Sequence, residues 1–142
     1  MRTDLGPDDM ADLLDQPLIA VLATRRADDT ILLSPVWFEW RDRGFNVWAD
    51  SATNGKVRHL LRDPRATIVV SSTDEPYRGL EVRGSATVDQ DPAAFYAVLG
   101  RTATRYYGAE RGARMVAGYT TPGVVIRLEP GNVRTWDYGD EG

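Results

Sequence analysis

The most informative stretch of this chain reads Ser51-Ala-Thr-Asn-Gly-Lys-Val-Arg-His-Leu-Leu-Arg-Asp-Pro-Arg65. Ser51 or Thr53 can cap the N-terminus of a helix, because a hydroxyl oxygen accepts a hydrogen bond from a free backbone N–H group. The apolar residues that follow recur at the i, i+3, i+4 spacing of one helical face: Val57, Leu60 and Leu61. We therefore predict a short amphipathic helix that begins near Thr53.

Lys56 is the only lysine of the chain, against sixteen arginines. On the predicted helix, Lys56 and Arg58 lie on either side of Val57, close to the N-terminal end. Unpaired N–H groups and the helix dipole favour a bound phosphate at that end. A solvated helix whose cations cover its exposed edges fits the local pattern equally well. The choice between a phosphate site and a solvated helix surface therefore depends on the rest of the sequence.

Three strands and a short helix are predicted before this segment. Residues 8–15 form the helix, which follows Pro7 and stops before Pro17. The strands are residues 18–24, 31–40 and 45–50. We expect them to form an antiparallel meander, with Pro35 marking an edge strand or a bulge.

The second half of the chain predicts further strands around a longer helix. Residues 66–71 and 80–88 are strands, and residues 80–88 alternate apolar and polar side chains. A helix runs from Asp91-Pro92 to Tyr107, is broken by Gly108, and is followed by a weaker helix over residues 109–116. Residues 122–128 and 132–138 close the chain as two strands separated by Glu129-Pro-Gly131.

About seven strands and three or four helices are predicted, with no repeat or linker. A chain of 142 residues is most simply one domain, covering residues 1–142. Short strands with isolated helices favour a mainly β, α+β protein, built as a closed antiparallel barrel with helices outside. A doubly wound fold would need regular alternation of strands and helices, and no Gly-x-Gly-x-x-Gly follows a strand.

Composition and charge exclude several function classes. The formal net charge of -4 argues against a general nucleic-acid binder, which needs a concentrated positive surface. The absence of cysteine excludes disulfides, thiolate metal sites and cysteine nucleophiles. The longest apolar run, Leu18 to Ala23, is too short to span a membrane, and the acidic N-terminus lacks the features of a secretory signal. We expect a soluble, cytoplasmic protein.

Candidate acid–base and metal residues are few. The single histidine, His59, lies on the predicted helix beside cations, and no Gly-x-Ser-x-Gly elbow occurs. The paired carboxylates Asp8-Asp9 and Asp28-Asp29 fall in turns or helix caps, so we predict no metal site and assign no catalytic residue. An enzyme with this composition would depend on a cofactor for its chemistry.

Several segments, spread over most of the chain, resemble those of a known protein family. The segments that carry the likeness are Leu22-Ala-Thr24, Leu33-Ser-Pro-Val-Trp-Phe38, Val47-Trp48, Lys56-Val-Arg-His-Leu-Leu-Arg-Asp-Pro-Arg65, Glu81-Val-Arg-Gly-Ser-Ala86, Val124-Val-Ile-Arg-Leu-Glu-Pro130 and Val133-Arg-Thr-Trp136. Together they resemble the flavin-binding split-barrel superfamily related to pyridoxamine 5'-phosphate oxidase. Within it, the chain is most similar to the actinobacterial branch that uses the deazaflavin coenzyme F-420.

The resemblance implies a six- to seven-stranded antiparallel split β-barrel with short flanking helices. It also implies a homodimer with two cofactor sites at the subunit interface. Lys56 and Arg58 would hold the cofactor phosphate, and a small molecule would be the substrate. The other cofactor-binding residues implied are Ser34, Pro35, Val36, Trp37, Trp48, Ala49, Asp50, Ser51 and, as a cross-subunit aromatic residue, Trp136.

Two positions depart from the family pattern. Many relatives have asparagine where this chain has His59, and glycine in the first turn where it has Asp29. The resemblance implies hydride transfer between a reduced deazaflavin and a small conjugated substrate such as an enone or quinone. FMN as the cofactor of an oxidase or flavin reductase stays open, and so does a non-catalytic flavin or deazaflavin carrier. A longer coenzyme tail would need further cations, for which Arg25, Arg26 and Arg62 are the candidates.

Overall fold

A computed structural model describes residues 1–139 of the chain. Within these residues, seven strands form one antiparallel sheet in the order β2-β1-β5-β6-β7-β4-β3. The strands are β1 (Ala20–Arg25), β2 (Ile31–Val36), β3 (Glu39–Arg41), β4 (Gly44–Ala49), β5 (Arg65–Ser71), β6 (Arg78–Asp89) and β7 (Val124–Asp137). The prediction of a mainly β, antiparallel barrel with short helices is confirmed.

The two edge strands of the sheet, β2 and β3, follow each other directly in sequence. Only Trp37 and Phe38 separate them, so the sheet curls until its two edges come close together. The predicted continuous strand over residues 31–40, and the meander built on it, are therefore wrong. The break has a physical cause, since the Arg105 guanidinium donates to the Phe38 carbonyl (2.6 Å) and the Phe38 N–H donates to the Tyr106 hydroxyl (3.1 Å).

The C-terminal part of the chain forms one long strand, β7, where two strands were predicted. It pairs with β6 from Arg78–Asp137 to Asp89–Val125, with a register shift at Arg83/Gly84. At that shift the β7 backbone comes so close that a Cβ on Gly84 would lie 1.9 Å from the Glu129 carbonyl oxygen. Because Gly84 has no side chain, the β7 backbone at Pro130 and Gly131 can come close to β6, and β7 continues past this pair.

Four helices accompany the sheet, with a 3-10 turn (Pro7–Met10) leading into the first. They are α1 (Ala11–Leu14), α2 (Gly55–Arg62), α3 (Pro92–Tyr107) and α4 (Ala109–Ala117). The Asp91 carboxylate caps α3 by accepting from the Ala93 N–H, and Gly108 ends it with a φ of 86°. The helices predicted after Pro7, at Asp91-Pro92 and after Gly108 are confirmed.

Two hydrophobic clusters hold the sheet and helices together. The larger fills the curl of the sheet and includes Phe38, Phe45, Leu80 and Ile126, each almost fully buried. The smaller lies where α3 packs on β4 and β7, around Phe95, Val98, Leu99 and Val125. The α3–α4 hairpin is thereby fixed against the edge of the sheet next to β4.

Candidate functional site

A pocket of about 370 Å³ opens where β2, β4, α2 and the α3–α4 hairpin meet. Its lining residues are Pro35, Val36, Trp37, Trp48, Ala49, Asp50, Asn54, Lys56, Tyr107, Met115 and Tyr119. One wall comes from the barrel and the start of α2, and the other comes from the hairpin. We refer to it below as the α2–hairpin pocket.

Most of the residues singled out in the sequence meet in this pocket. Those that line it are Pro35, Val36, Trp37, Trp48, Ala49, Asp50 and Lys56. The structure places the others elsewhere, within or near the same elements. Ser34, in β2, is half-buried and pairs with Leu22 of β1, while the Ser51 side chain accepts from the Thr53 N–H. Arg58 is exposed on α2. Trp136, in β7, pairs with Gly79 of β6.

The start of α2 differs in detail from the prediction. Asn54 is the N-cap, and its side-chain oxygen accepts from the Lys56 backbone N–H (3.2 Å). The predicted caps are wrong, because the hydroxyls of Ser51 and Thr53 bond to each other at 2.7 Å. The predicted buried stripe is also shorter than expected, since Leu61 is 58% exposed while the other two members are buried.

Lys56 directs its ammonium group into the pocket region from the first turn of α2. The side chain is half-buried, and its Nζ donates to the Asn54 Oδ1 at 3.2 Å. Burial lowers the pKa of Lys56, and the nearby Asp50 carboxylate opposes that shift. A partly desolvated ammonium with a neutral amide as its close partner retains capacity to bind an anion.

An aromatic wall begins at Trp37, the first residue after β2. Its ring stacks in parallel on Tyr106, with centroids 4.5 Å apart, and meets Tyr107 edge to face at 4.8 Å. The Tyr106 hydroxyl donates to the Leu18 carbonyl at 2.6 Å. Helix α3 therefore holds the Trp37 side chain in place from behind.

Trp48 and Tyr119 form the deeper part of the aromatic wall. The Tyr119 ring lies edge-on to Trp48 (5.5 Å) and to Phe95 (5.8 Å), and its carbonyl accepts from the Tyr96 hydroxyl (2.7 Å). Burial raises the pKa of the Tyr119 phenol, and the charge of Asp50 raises it further. Within residues 1–139, the buried Trp48 Nε1 finds no acceptor.

Three arginines lie near enough to His59 to act on it electrostatically, and two of them belong to α2 itself. They are Arg26, Arg58 and Arg62, and none of them forms an ion pair with a carboxylate of the described residues. Burial lowers the pKa of His59 and the three guanidinium groups lower it further, while its Nδ1 lies 3.0 Å from the Thr24 hydroxyl. We call this group the α2 arginine cluster.

Sequence reasoning missed four residues of the pocket: Asn54, Tyr107, Met115 and Tyr119. Asn54 lies inside the stretch that predicted the helix, and a capping residue immediately before the helical pattern could have indicated it. The other three come from the hairpin, whose position depends on distant packing. No local motif marks them as neighbours of Lys56.

The described residues hold no group of three or more His, Cys, Asp or Glu side chains that could bind a metal ion. In the same part of the chain, no helix is long and apolar enough to cross a membrane. The α2–hairpin pocket is bordered by one ammonium, one carboxylate and several aromatic rings.

Comparison with known proteins identifies the family to which the chain belongs. The pyridoxamine 5'-phosphate oxidase family model matches residues 7–137, so the chain belongs to that family. The split-barrel resemblance seen in the sequence is thus confirmed. No curated protein matches the chain.

Solved structures share the fold. The conserved hypothetical protein Rv2991 from Mycobacterium tuberculosis is 24% identical, with a TM-score of 0.83 over 96% of this chain and 87% of that one. An F-420 reductase is 29% identical, with a TM-score of 0.68 over 86% of this chain and 93% of its own. HutZ, the heme storage protein from Vibrio cholerae, is 17% identical, with a TM-score of 0.68 and 94% coverage of both chains.

Proposed function

We propose that this protein is a cytoplasmic, homodimeric oxidoreductase that transfers a hydride between the reduced deazaflavin coenzyme F-420 and a small conjugated substrate such as an enone or quinone. The family match and the likeness to an F-420 reductase support this reaction class. The match over residues 7–137 also supports one domain. The observation that carries the proposal is the convergence of Lys56 and the aromatic wall on one pocket.

The chemistry of the lining residues fits a phosphorylated tricyclic cofactor. Lys56 and the N-terminus of α2 would hold the phosphate, and residues 35–37 would border the ring system. The buried Trp48 N–H has no protein acceptor among the described residues, and a ring carbonyl of a ligand would satisfy it. When bound, the coenzyme supplies the hydride, while the chain supplies binding and orientation.

Four further cofactor contacts are carried over from the family resemblance. Ser34 and Ser51 adjoin residues that line the pocket, and Arg58 lies one turn along α2 from the cap. Trp136 is proposed to reach the site of the partner subunit. Binding measurements on variants of these four residues test the contacts.

The α2 arginine cluster favours the deazaflavin coenzyme over FMN. Both cofactors carry a phosphate that Lys56 could bind, but the deazaflavin coenzyme has a longer anionic tail beyond it. Arg26, Arg58 and Arg62 lack ion-pair partners among residues 1–139 and lie on the same helix as Lys56 or beside it. Guanidinium groups that have no carboxylate partner would stabilise such a tail.

The dimer is supported by an apolar sheet face left open in the single chain. Val21, Ile31 and Leu33 point outward from the β1–β2 hairpin and are 37%, 45% and 63% exposed. A contiguous exposed apolar face of this kind indicates an interaction surface. Pro35 pairs with Val21 and also lines the α2–hairpin pocket, so a second copy on this face would border the pocket.

The absorption spectrum and mass of small molecules retained by the purified protein provide the first test. Titration of the cofactor-free protein with coenzyme F-420 and with FMN should then show tighter binding of coenzyme F-420. Reduced coenzyme F-420 should be oxidised by the enzyme when an activated enone or quinone is present. Tighter FMN binding would favour an FMN-dependent oxidase or flavin reductase, and binding without turnover across a broad acceptor panel would favour a carrier.

A further inference from the structure

Tyr119 occupies a distinctive place on the hairpin side of the α2–hairpin pocket. Its ring is fixed by edge contacts with Trp48 and Phe95, and its carbonyl is held by the Tyr96 hydroxyl. Its own hydroxyl has no hydrogen-bond partner within residues 1–139. A phenol O–H that is held in position but unpaired is available to a ligand in the pocket.

We infer that the Tyr119 hydroxyl donates a hydrogen bond to the carbonyl oxygen of the substrate and gives it a proton during reduction. This inference rests on the proposed function, because it concerns the substrate of that reaction. Tyr119 would then be a catalytic residue on the hairpin side of the pocket, while the barrel side holds the cofactor. The substrate class it implies is a conjugated carbonyl compound.

The reduction joins a hydride transfer from the coenzyme to a proton transfer from Tyr119. When bound, the reduced coenzyme would supply a hydride to the conjugated carbon, and the negative charge would then lie on the carbonyl oxygen. The Tyr119 O–H bond then breaks as a new O–H bond forms on that oxygen. An enolate oxygen is about as basic as a phenolate, so the two groups are matched for this transfer. Water restores the proton to Tyr119 before the next turnover.

The charged neighbours of Tyr119 are consistent with this role. Asp50 acts electrostatically on both Tyr119 and Lys56, and all three line the same pocket. The phenol is protonated at neutral pH, because its ordinary pKa is about 10 and both burial and the Asp50 charge raise it. Asp50 is exposed, so solvent water reaches this side of the pocket and can reprotonate the phenol.

Tyr107 is the other tyrosine of the pocket, but its surroundings differ. The Arg111 guanidinium covers its ring at 3.6 Å, and 37% of its surface is exposed. Tyr107 thus lies partly in open water, while the Tyr119 ring is held between Trp48 and Phe95. The geometry therefore selects Tyr119.

Two measurements on Tyr119→Phe test the inference. This change keeps the ring contacts and removes only the hydroxyl, so the fold should survive. With reduced coenzyme F-420 and 2-cyclohexenone, kcat should fall about 100-fold, while KM changes less than about threefold. Independently of turnover, the infrared carbonyl band of carbon-13-labelled cyclohexenone, bound with the oxidised cofactor, should lie at lower wavenumber in the wild type than in the variant.

Tyr138→Phe is the matched control, because Tyr138 is exposed and lies outside the pocket. It should leave both readouts unchanged. Equal kcat and an identical carbonyl band in wild type and Tyr119→Phe would overturn the inference even if the enzyme reduces enones. A wild type that reduces no carbonyl acceptor would instead overturn the proposed function, while the carbonyl band would still report on Tyr119.

Discussion

The indole of Trp37 lies parallel to the phenol ring of Tyr106, with centroids 4.5 Å apart and planes inclined by 3°. The hydroxyl of the same tyrosine accepts from the Phe38 N–H and donates to the Leu18 carbonyl. One residue of α3 thus supports a wall of the pocket and also holds the break between β2 and β3. The stability of the fold and the shape of the pocket are coupled through it.

Tyr106→Phe removes both hydrogen bonds and retains the stacked ring. It leaves two partly buried backbone groups unsatisfied, so the free energy of unfolding should fall by about 1–3 kcal/mol in urea denaturation. Tyr106→Leu also removes the stack and should weaken cofactor binding further. Cofactor affinity that is identical in the two variants would contradict a positioning role for the ring.

Lys56→Ala tests the phosphate anchor. A charge-assisted hydrogen bond of about 1.5–3 kcal/mol corresponds to roughly tenfold to hundredfold weaker binding of FMN in a titration. The affinity for riboflavin, which lacks the phosphate, should fall far less. Arg58→Ala should likewise weaken FMN binding more than riboflavin binding. Arg41→Ala, at an exposed site outside the pocket, is the control. Equal losses for FMN and riboflavin would show that Lys56 does not bind the phosphate.

Glu39 should make the fold sensitive to acid. Burial acts to raise the pKa of this carboxyl, but hydrogen bonds from Arg101 and Asn46 outweigh it, and the net shift is downward. A lowered folded-state pKa gives stability that is complete above the unfolded value and is lost as pH falls through the folded one. Urea midpoints measured below about pH 4.3 should therefore drop in the wild type.

The Glu39→Gln variant should be less stable than the wild type at pH 7 and should show a weaker acid dependence. Glu110→Gln is the matched control, since the Glu110–Arg114 pair is highly exposed and should contribute little. A similar pH dependence in the Glu39→Gln variant and the wild type would assign the acid sensitivity to other carboxylates.

Gly112 and Gly100 offer a matched pair of helical glycines. A Cβ on Gly112 would lie 2.9 Å from the Ala103 backbone, whereas one on Gly100 would meet nothing within 4 Å. Gly100→Ala should raise the free energy of unfolding by about 0.5–1 kcal/mol, because alanine is the better helix former. Gly112→Ala should lower it, since α4 must move away from α3. Stabilisation by both changes would mean that the two helices pack loosely.

Leu33→Arg tests the proposed dimer face. Leu33 is 63% exposed on the sheet, so the charge should not disturb the fold, but it should oppose burial against a second copy. Sedimentation should show a dimer for the wild type and a monomer for the variant. Leu61→Arg, at a residue 58% exposed on α2, should stay dimeric. A wild type that is monomeric at all concentrations would contradict the proposal that the cofactor sites lie at a subunit interface.

Local patterns predicted those parts of the fold that depend on neighbouring residues. Strand β6 shows regular alternation, and α3 carries both an Asp91 cap and a Gly108 stop, so both were predicted nearly to their ends. The break after Trp37 was missed because it depends on Arg105 and Tyr106, which lie more than 60 residues away. The division of β7 was wrong because Gly84, on the neighbouring strand, accommodates the bend.

The candidate site divides in the same way. The barrel side of the pocket lies in or near the segment around Lys56 and in strands with recognisable motifs. The hairpin side consists of Tyr107, Met115 and Tyr119, whose spacing follows no motif. They reach the pocket because Phe95 packs α3 against the sheet and Gly112 lets α4 pack closely against α3.

The hairpin also leaves and rejoins the sheet at adjacent points. Asp89, the last residue of β6, is paired with Val125 near the start of β7, so residues 90–123 form an excursion from two strands that are already neighbours. Such an excursion can change in length or sequence without shifting the register of the sheet. One wall of the pocket can therefore be exchanged by grafting another hairpin at this junction, while the barrel wall and its lysine stay in place.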